Sequence, residues 1–180
     1  CMLDQKDPTK SWQNLSDNQQ RYVDQLNTKK QLRFVGKKTD LSFSITNRKW
    51  INSNGVYNMP SGEVFSAPIE DSVQGHIYFD VPTVYNGTDV SGIYLEVKDG
   101  LIEKWTAEQG QATLDTVFAV DGARRFGEVA IGTNYAIQNP SKNILFDEKI
   151  GGTIHMAVGA SYPECGGKNE SAVHWDMIKW

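Results

Sequence analysis

At 180 residues the chain is long enough for one domain that buries about two-thirds of its unfolded surface, and its 39% hydrophobic and 22% charged residues match a globular protein. A net charge of −4 leaves no basic excess to neutralise phosphates, which weighs against a nucleic-acid partner. No apolar run approaches the roughly 20 residues of a membrane-spanning helix, and no signal-peptide pattern opens the chain.

Cys1 in place of an initiator methionine reads as the start of a segment of a longer polypeptide. The first ten residues are polar and irregular, like a linker. Ser16, with Gln19 three residues on, predicts a helix start, and Tyr22, Val23 and Leu26 supply the apolar stripe of a short helix. From Gln31 the period changes to two. Leu32 and Phe34, then Leu41, Phe43 and Ile45, predict two strands about Gly36-Lys37-Lys38. Residues 52–75 carry Gly55, Pro60, Gly62, Pro68 and Gly75 and read as loop with short extended pieces.

Alternation resumes from His76 to Val81. Ile93, Leu95 and Val97 lead into Lys98-Asp99-Gly100 and a return from Leu101 to Thr106, which predicts a β-hairpin. Leu114, Val117 and Phe118 predict a helix over 113–120. Strands are expected at 126–131, 153–158 and 172–178. Cys1 and Cys165 form no disulfide framework, which fits a reducing, cytoplasmic compartment and makes the sequons at Asn14, Asn86 and Asn169 chance matches. The expected fold is α+β, a β-rich domain of antiparallel or mixed sheet with a few short helices.

Several polar residues stand where apolar ones are expected. His155 interrupts Ile154, Met156, Ala157 and Val158, and Glu128 interrupts Phe126 to Ile131. Glu63 sits in the segment running from Met59 to Phe65. A carboxylate embedded among apolar residues needs a cation or a metal to offset its desolvation. His174 and Asp176 lie two apart on an expected strand, so both project from one face, and imidazole with carboxylate suits zinc, cobalt or manganese. A His-x-Asp pair alone is more often a hydrogen-bonded surface pair, and a lone strand histidine is more often a satisfied core residue. Their joint occurrence weakens the bland reading.

Five stretches go further. They are Thr39-Asp40-Leu41, Asn58 to Phe65, Gly122 to Ala130, Leu145-Phe146-Asp147-Glu148 through His155 to Pro163, and Lys168 to Ile178. In order and spacing this wording closely resembles the thermophilic metallo-aminopeptidase family, of the aminopeptidase T and aminopeptidase S type, over residues 32–178.

The resemblance implies a two-metal exopeptidase site in which Glu63, Glu128, His155, His174 and Asp176 are the metal ligands. It implies roles at the same site for Tyr162 and for Glu148, whose separation from His155 is longer than in some relatives. It divides the chain into a linker and short helix over 1–30 and a metal-binding catalytic domain over 31–180, without the family's N-terminal α/β domain or its C-terminal end. Peptides with a free N-terminus are the implied substrates, and a homodimer the implied assembly of the full-length enzyme.

Two metals about 3.5–4 Å apart can share a water and polarise a carbonyl. Five ligands for two ions require a bridging carboxylate, and Glu63 and Glu148 are both candidates for the general base. No His-Glu-x-x-His motif occurs, which excludes the helical zinc peptidase site. The competing readings are a metal-binding or structural β-rich module without catalysis, and a phosphoester hydrolase, disfavoured because no basic residues cluster near the ligands in sequence.

Overall fold

Alternating apolar and polar side chains let a strand bury one face, and the predicted strands do this in two five-stranded antiparallel sheets. The computed structural model describes residues 4–180, so the reading of Cys1 lies outside the described residues. The first sheet runs in the order β1 (Gln31–Gly36), β2 (Thr39–Ser44), β5 (Gln74–Phe79), β8 (Ile93–Lys98) and β9 (Leu101–Thr106). The second runs β12 (His174–Lys179), β11 (Ile154–Gly159), β10 (Phe126–Gly132), β4 (Glu63–Ser66) and β3 (Ile51–Ser53). With three short-to-medium helices beside them, the class is α+β as expected.

One continuous core joins the sheets. Leu41, Phe43, Ile77, Phe79, Ile93 and Leu95 come from the first, and Val64, Val129, Met156, Val158, Trp175 and Met177 from the second. The predicted hairpin turns on Asp99-Gly100, both at positive φ (49° and 73°), with Lys98 opposite Leu101. A Cβ on Gly100 would meet the Glu70 carbonyl oxygen at 1.7 Å, so glycine is required there on two counts.

Three points of the expected fold need correction. Helix α1 spans Pro8–Leu26, with Asp7 as N-cap accepting from the Lys10 amide at 3.0 Å and a proline in the first turn. It therefore begins inside the expected linker, and Ser16 lies mid-helix. The short extended pieces expected within 52–75 are most of β3 and all of β4, which pack in the second sheet. Helix α2 is Gln111–Phe118, two residues earlier than predicted at each end. A hairpin of β6 (Thr83–Tyr85) and β7 (Thr88–Val90) turns on Asn86-Gly87, a signal the sequence offers plainly and that periodicity alone passes over.

That hairpin covers the core. The Tyr85 ring lies 4.6 Å from that of Trp175, which is only 4% exposed. The indole N–H of Trp175 has no hydrogen-bond partner, so its stabilisation is packing. Trp175→Ala should cost about 3–5 kcal/mol in urea-induced unfolding, whereas Trp175→Phe should cost much less, because no hydrogen bond is lost. Equal losses for the two variants would show that the indole packing is not what holds this face.

Candidate metal centre

The face of the second sheet turned away from the core carries the polar residues. Register sets their relation: Glu128 pairs with Ala157, and Ala157 with Asp176, so the two carboxylates flank a methyl group across three strands. One rung along, Ala130 lies opposite His155 and Phe65, and Gly159 lies opposite His174. Large donors alternate with small residues, which leaves room between the side chains for a ligand. Glu63, at the start of β4, stands opposite Gly132.

Supports outside the sheet fix these groups. Gln19, fully buried on α1, donates through Nε2 to the Glu63 carbonyl at 2.8 Å and to Asn52 and Ser53, and accepts from Thr133. Gly62, at φ 120°, would place a Cβ 2.6 Å from the Asn134 side chain, so the approach to Glu63 admits no larger residue without rearrangement. His174 holds its Nδ1 2.8 Å from the Ala160 carbonyl, which turns Nε2 toward the carboxylates.

Helix α3 (Ile144–Asp147) presents the next two residues. Asp147 is buried and accepts from the Ser141 amide and hydroxyl and from the Lys142 amide, each at 2.8 Å, so it locks the loop. Glu148 caps the helix and faces the cluster, and Lys149 follows, its side chain 1% exposed. The Lys149 ammonium donates to Glu63 Oε1 at 2.5 Å and forms a second ion pair with Glu148 Oε1. Tyr162 stacks edge-on against His174 (5.1 Å) and Phe65 (5.4 Å).

The donors converge. His155 Nε2 lies 3.2 Å from Glu63 Oε2, 3.6 Å from Glu128 Oε1 and 3.9 Å from Asp176 Oδ1. His174 Nε2 lies 3.2 Å from Glu128 Oε2 and 3.8 Å from Asp176 Oδ2. Glu128 thus presents one oxygen to each histidine. Three groups have ligand atoms within 4.8 Å of one another: Glu63, Glu128 and His155; Glu128, His174 and Asp176; Glu148, His155 and Asp176. Yet Glu63 Oε2, both His155 nitrogens, His174 Nε2 and Asp176 Oδ1 are buried without an aligned hydrogen bond. Near neighbours that do not bond one another are the arrangement a shared cation would satisfy, and mixed imidazole and carboxylate donors fit a divalent transition metal.

Charge balance in the metal-free chain follows. Burial alone would raise Glu128, but its contacts to His155 and His174 outweigh that and hold it down at about 2. Burial would lower the two histidines, but the carboxylates around them prevail: His155 is pushed well above its ordinary value and His174 to about 9. Asp176 is raised to about 8 by burial, then by Glu128. Glu148 is raised by burial and by Glu63. Burial would lower Lys149, but Glu63 and Glu148 reverse this, so it stays a cation. Tyr162 is raised by burial and by the surrounding carboxylates, so it keeps its proton.

Beside the cluster opens a cavity of about 760 Å³, whose lining includes the aromatic Trp50, Phe65 and Tyr162 and the acidic Glu148, Glu164 and Asp176. All seven residues singled out from the sequence meet at this place. His76 does not; it stands on the other sheet beside Tyr94. Sequence reading missed Lys149 and Gln19. Asp147-Glu148-Lys149 looks like a solvated charge run, and Gln19 like an ordinary capping residue, so no local signal marks either. One basic residue, Lys149, does stand at the ligands, and two carboxylates already occupy it.

Comparison with known proteins agrees with this geometry. The family model described as thermophilic metalloprotease (M29) matches residues 1–180. Aminopeptidase 2 of Geobacillus stearothermophilus is 34% identical over 98% of this chain and 49% of its own length. Aminopeptidase PepS of Streptococcus thermophilus is 32% identical over 99% of the chain and 50% of its own. The structure of wild-type AmpT from Thermus thermophilus superimposes with a TM-score of 0.83 at 29% identity, over 94% of this chain and 49% of that one. The chain spans about half the length of the curated relatives it matches. A 2,5-dihydroxypyridine dioxygenase from Pseudomonas putida shares the fold at 19% identity and a TM-score of 0.69.

Metal loading should release protons. His155, His174 and Asp176 have raised values and are largely protonated at pH 7, whereas metals bind the deprotonated forms. Each ion must displace protons, so affinity should rise with pH from 6 and level off as the pH passes the metal-free values near 8 and 9. Calorimetric titration in two buffers of different ionisation enthalpy measures the protons directly. Identical heats in both buffers would contradict this charge assignment.

Proposed function

Because the chain belongs to the thermophilic metalloprotease (M29) family, we propose that it carries the active site of a two-metal aminopeptidase that removes N-terminal residues from peptides. The observation behind this reading is Glu128, which directs one oxygen to His155 and the other to His174. In this reading Glu63, Glu128 and His155 hold one ion and Glu128, His174 and Asp176 the other. Zinc, cobalt and manganese all suit such donors. Bound there, the ions would supply Lewis acidity to the scissile carbonyl and acidity to the attacking water.

The remaining groups have distinct tasks. Glu148 is the general base: burial and Glu63 raise its proton affinity, and it lines the cavity without being tied into the sheet. Tyr162 keeps its proton and can donate a hydrogen bond to the carbonyl oxygen as charge develops there. The cavity beside them receives the first residue of a peptide with a free N-terminus. Action in the cytoplasm, as a homodimer of the complete enzyme, belongs to the same proposal.

In the full native polypeptide, Asp176→Ala and His174→Ala should each lower kcat/KM on amino-acid p-nitroanilides by about a thousandfold or more. The melting temperature of the metal-free protein should change little, since both side chains serve the site rather than the core. An active Asp176→Ala enzyme with normal metal content would overturn the ligand assignment. Hydrolysis of phosphoesters in preference to amino-acid amides would instead favour the hydrolase reading set aside above, and metal uptake without either activity the non-catalytic module.

A further inference from the structure

Lys149 has no task in the reaction as described, yet its ammonium lies inside the cluster. Its side chain is 1% exposed, and it contacts Glu63 Oε1 at 2.5 Å and Glu148 Oε1. A buried ion pair seldom adds net stability over apolar packing, so stability alone is a weak reason for it. The geometry at Glu63 suggests another. The two oxygens of that carboxylate are not equivalent: Oε1 is occupied by the ammonium, while Oε2 has no aligned hydrogen bond and faces His155 Nε2 at 3.2 Å.

We propose that Lys149 is a positioning residue that commits Glu63 Oε1, so that Glu63 offers a divalent ion the single oxygen Oε2. This rests on reading the cluster as a metal centre. A carboxylate free at both oxygens can chelate one ion through two atoms and fill a coordination position. One drawn toward an ammonium at Oε1 is biased to bind through Oε2 alone, and the position it leaves is open to substrate, as catalytic sites require and closed structural sites do not. The same ammonium holds Glu148 on the cavity wall, and its unit positive charge beside the ions weakens their binding and keeps them exchangeable.

Cobalt(II) tests this, because its visible absorption weakens as coordination number rises. In the full chain, Lys149→Met should bind cobalt(II) about tenfold more tightly, through loss of the neighbouring charge. It should also show weaker visible bands, as Glu63 closes on the ion with both oxygens. Lys149→Arg, which keeps charge and donors, should restore both readouts toward those of the unsubstituted chain. A folded Lys149→Met chain with unchanged affinity and spectrum would overturn the proposal. Should Lys149→Met not fold, the cobalt-loaded crystal structure of the unsubstituted chain decides: one Glu63 oxygen on the metal supports the proposal, and two overturn it. Failure of the unsubstituted chain to take up cobalt would overturn the metal-centre reading itself, and this inference with it.

Discussion

Four carboxylates withdrawn from water on one side of a sheet are the constraint around which this domain is built. Glu63, Glu128 and Asp176 are nearly or fully buried, and Glu148 is close behind. Isolated, each would be protonated or exposed; together they repel. The metal-free chain answers with His155, His174 and Lys149, held protonated by the charges they face. Asp176 keeps its proton as well, which relieves the repulsion further, while several of the donor atoms stay unbonded. The cluster is thus organised ahead of any ion, and the electrostatic cost of that organisation must be met elsewhere in the fold.

It is met on the opposite face of the same strands. Each site strand alternates donors with core residues: Val129 follows Glu128, Met156 follows His155, and Trp175 separates His174 from Asp176. Burial of those apolar side chains fixes the register, because a slip of one residue would send the donors into the core and the core into the site. Geometry at the centre is therefore inherited from packing behind it. Gln19 and the Asp147 loop extend the same logic to the edges, anchoring Glu63 through its own carbonyl and Glu148 through the turn before it.

This division explains what the sequence disclosed. Alternation reports burial, so the long strands and the two-residue spacing of His174 and Asp176 were legible, and polar breaks in apolar runs exposed Glu128 and His155. Short strands such as β4 lack enough residues to display a period, and their place in the sheet depends on neighbours distant in sequence. The start of α1 was written in Asp7-Pro8, a capping signal that a search for apolar stripes overlooks. Lys149 and Gln19 were invisible for a different reason. Both meet Glu63, which lies 86 and 44 residues away, and a lysine or glutamine looks the same in sequence whether solvated or buried.

The sheet itself does not select a reaction, since a dioxygenase displays the same fold. Selection must lie in the number and sharing of donors. A site with two histidines and one carboxylate on one face can hold a single ion. Here the carboxylates outnumber the histidines, and the histidines are set on neighbouring strands with Glu128 reaching both. Ala157 is what permits this: it is the residue between Glu128 and Asp176, and a longer side chain at that rung would fill the space where their oxygens converge. A carboxylate that reaches two imidazoles gathers donors from both neighbouring strands without adding a strand. The chemistry open to this domain thus turns on a small residue as much as on the charged ones around it.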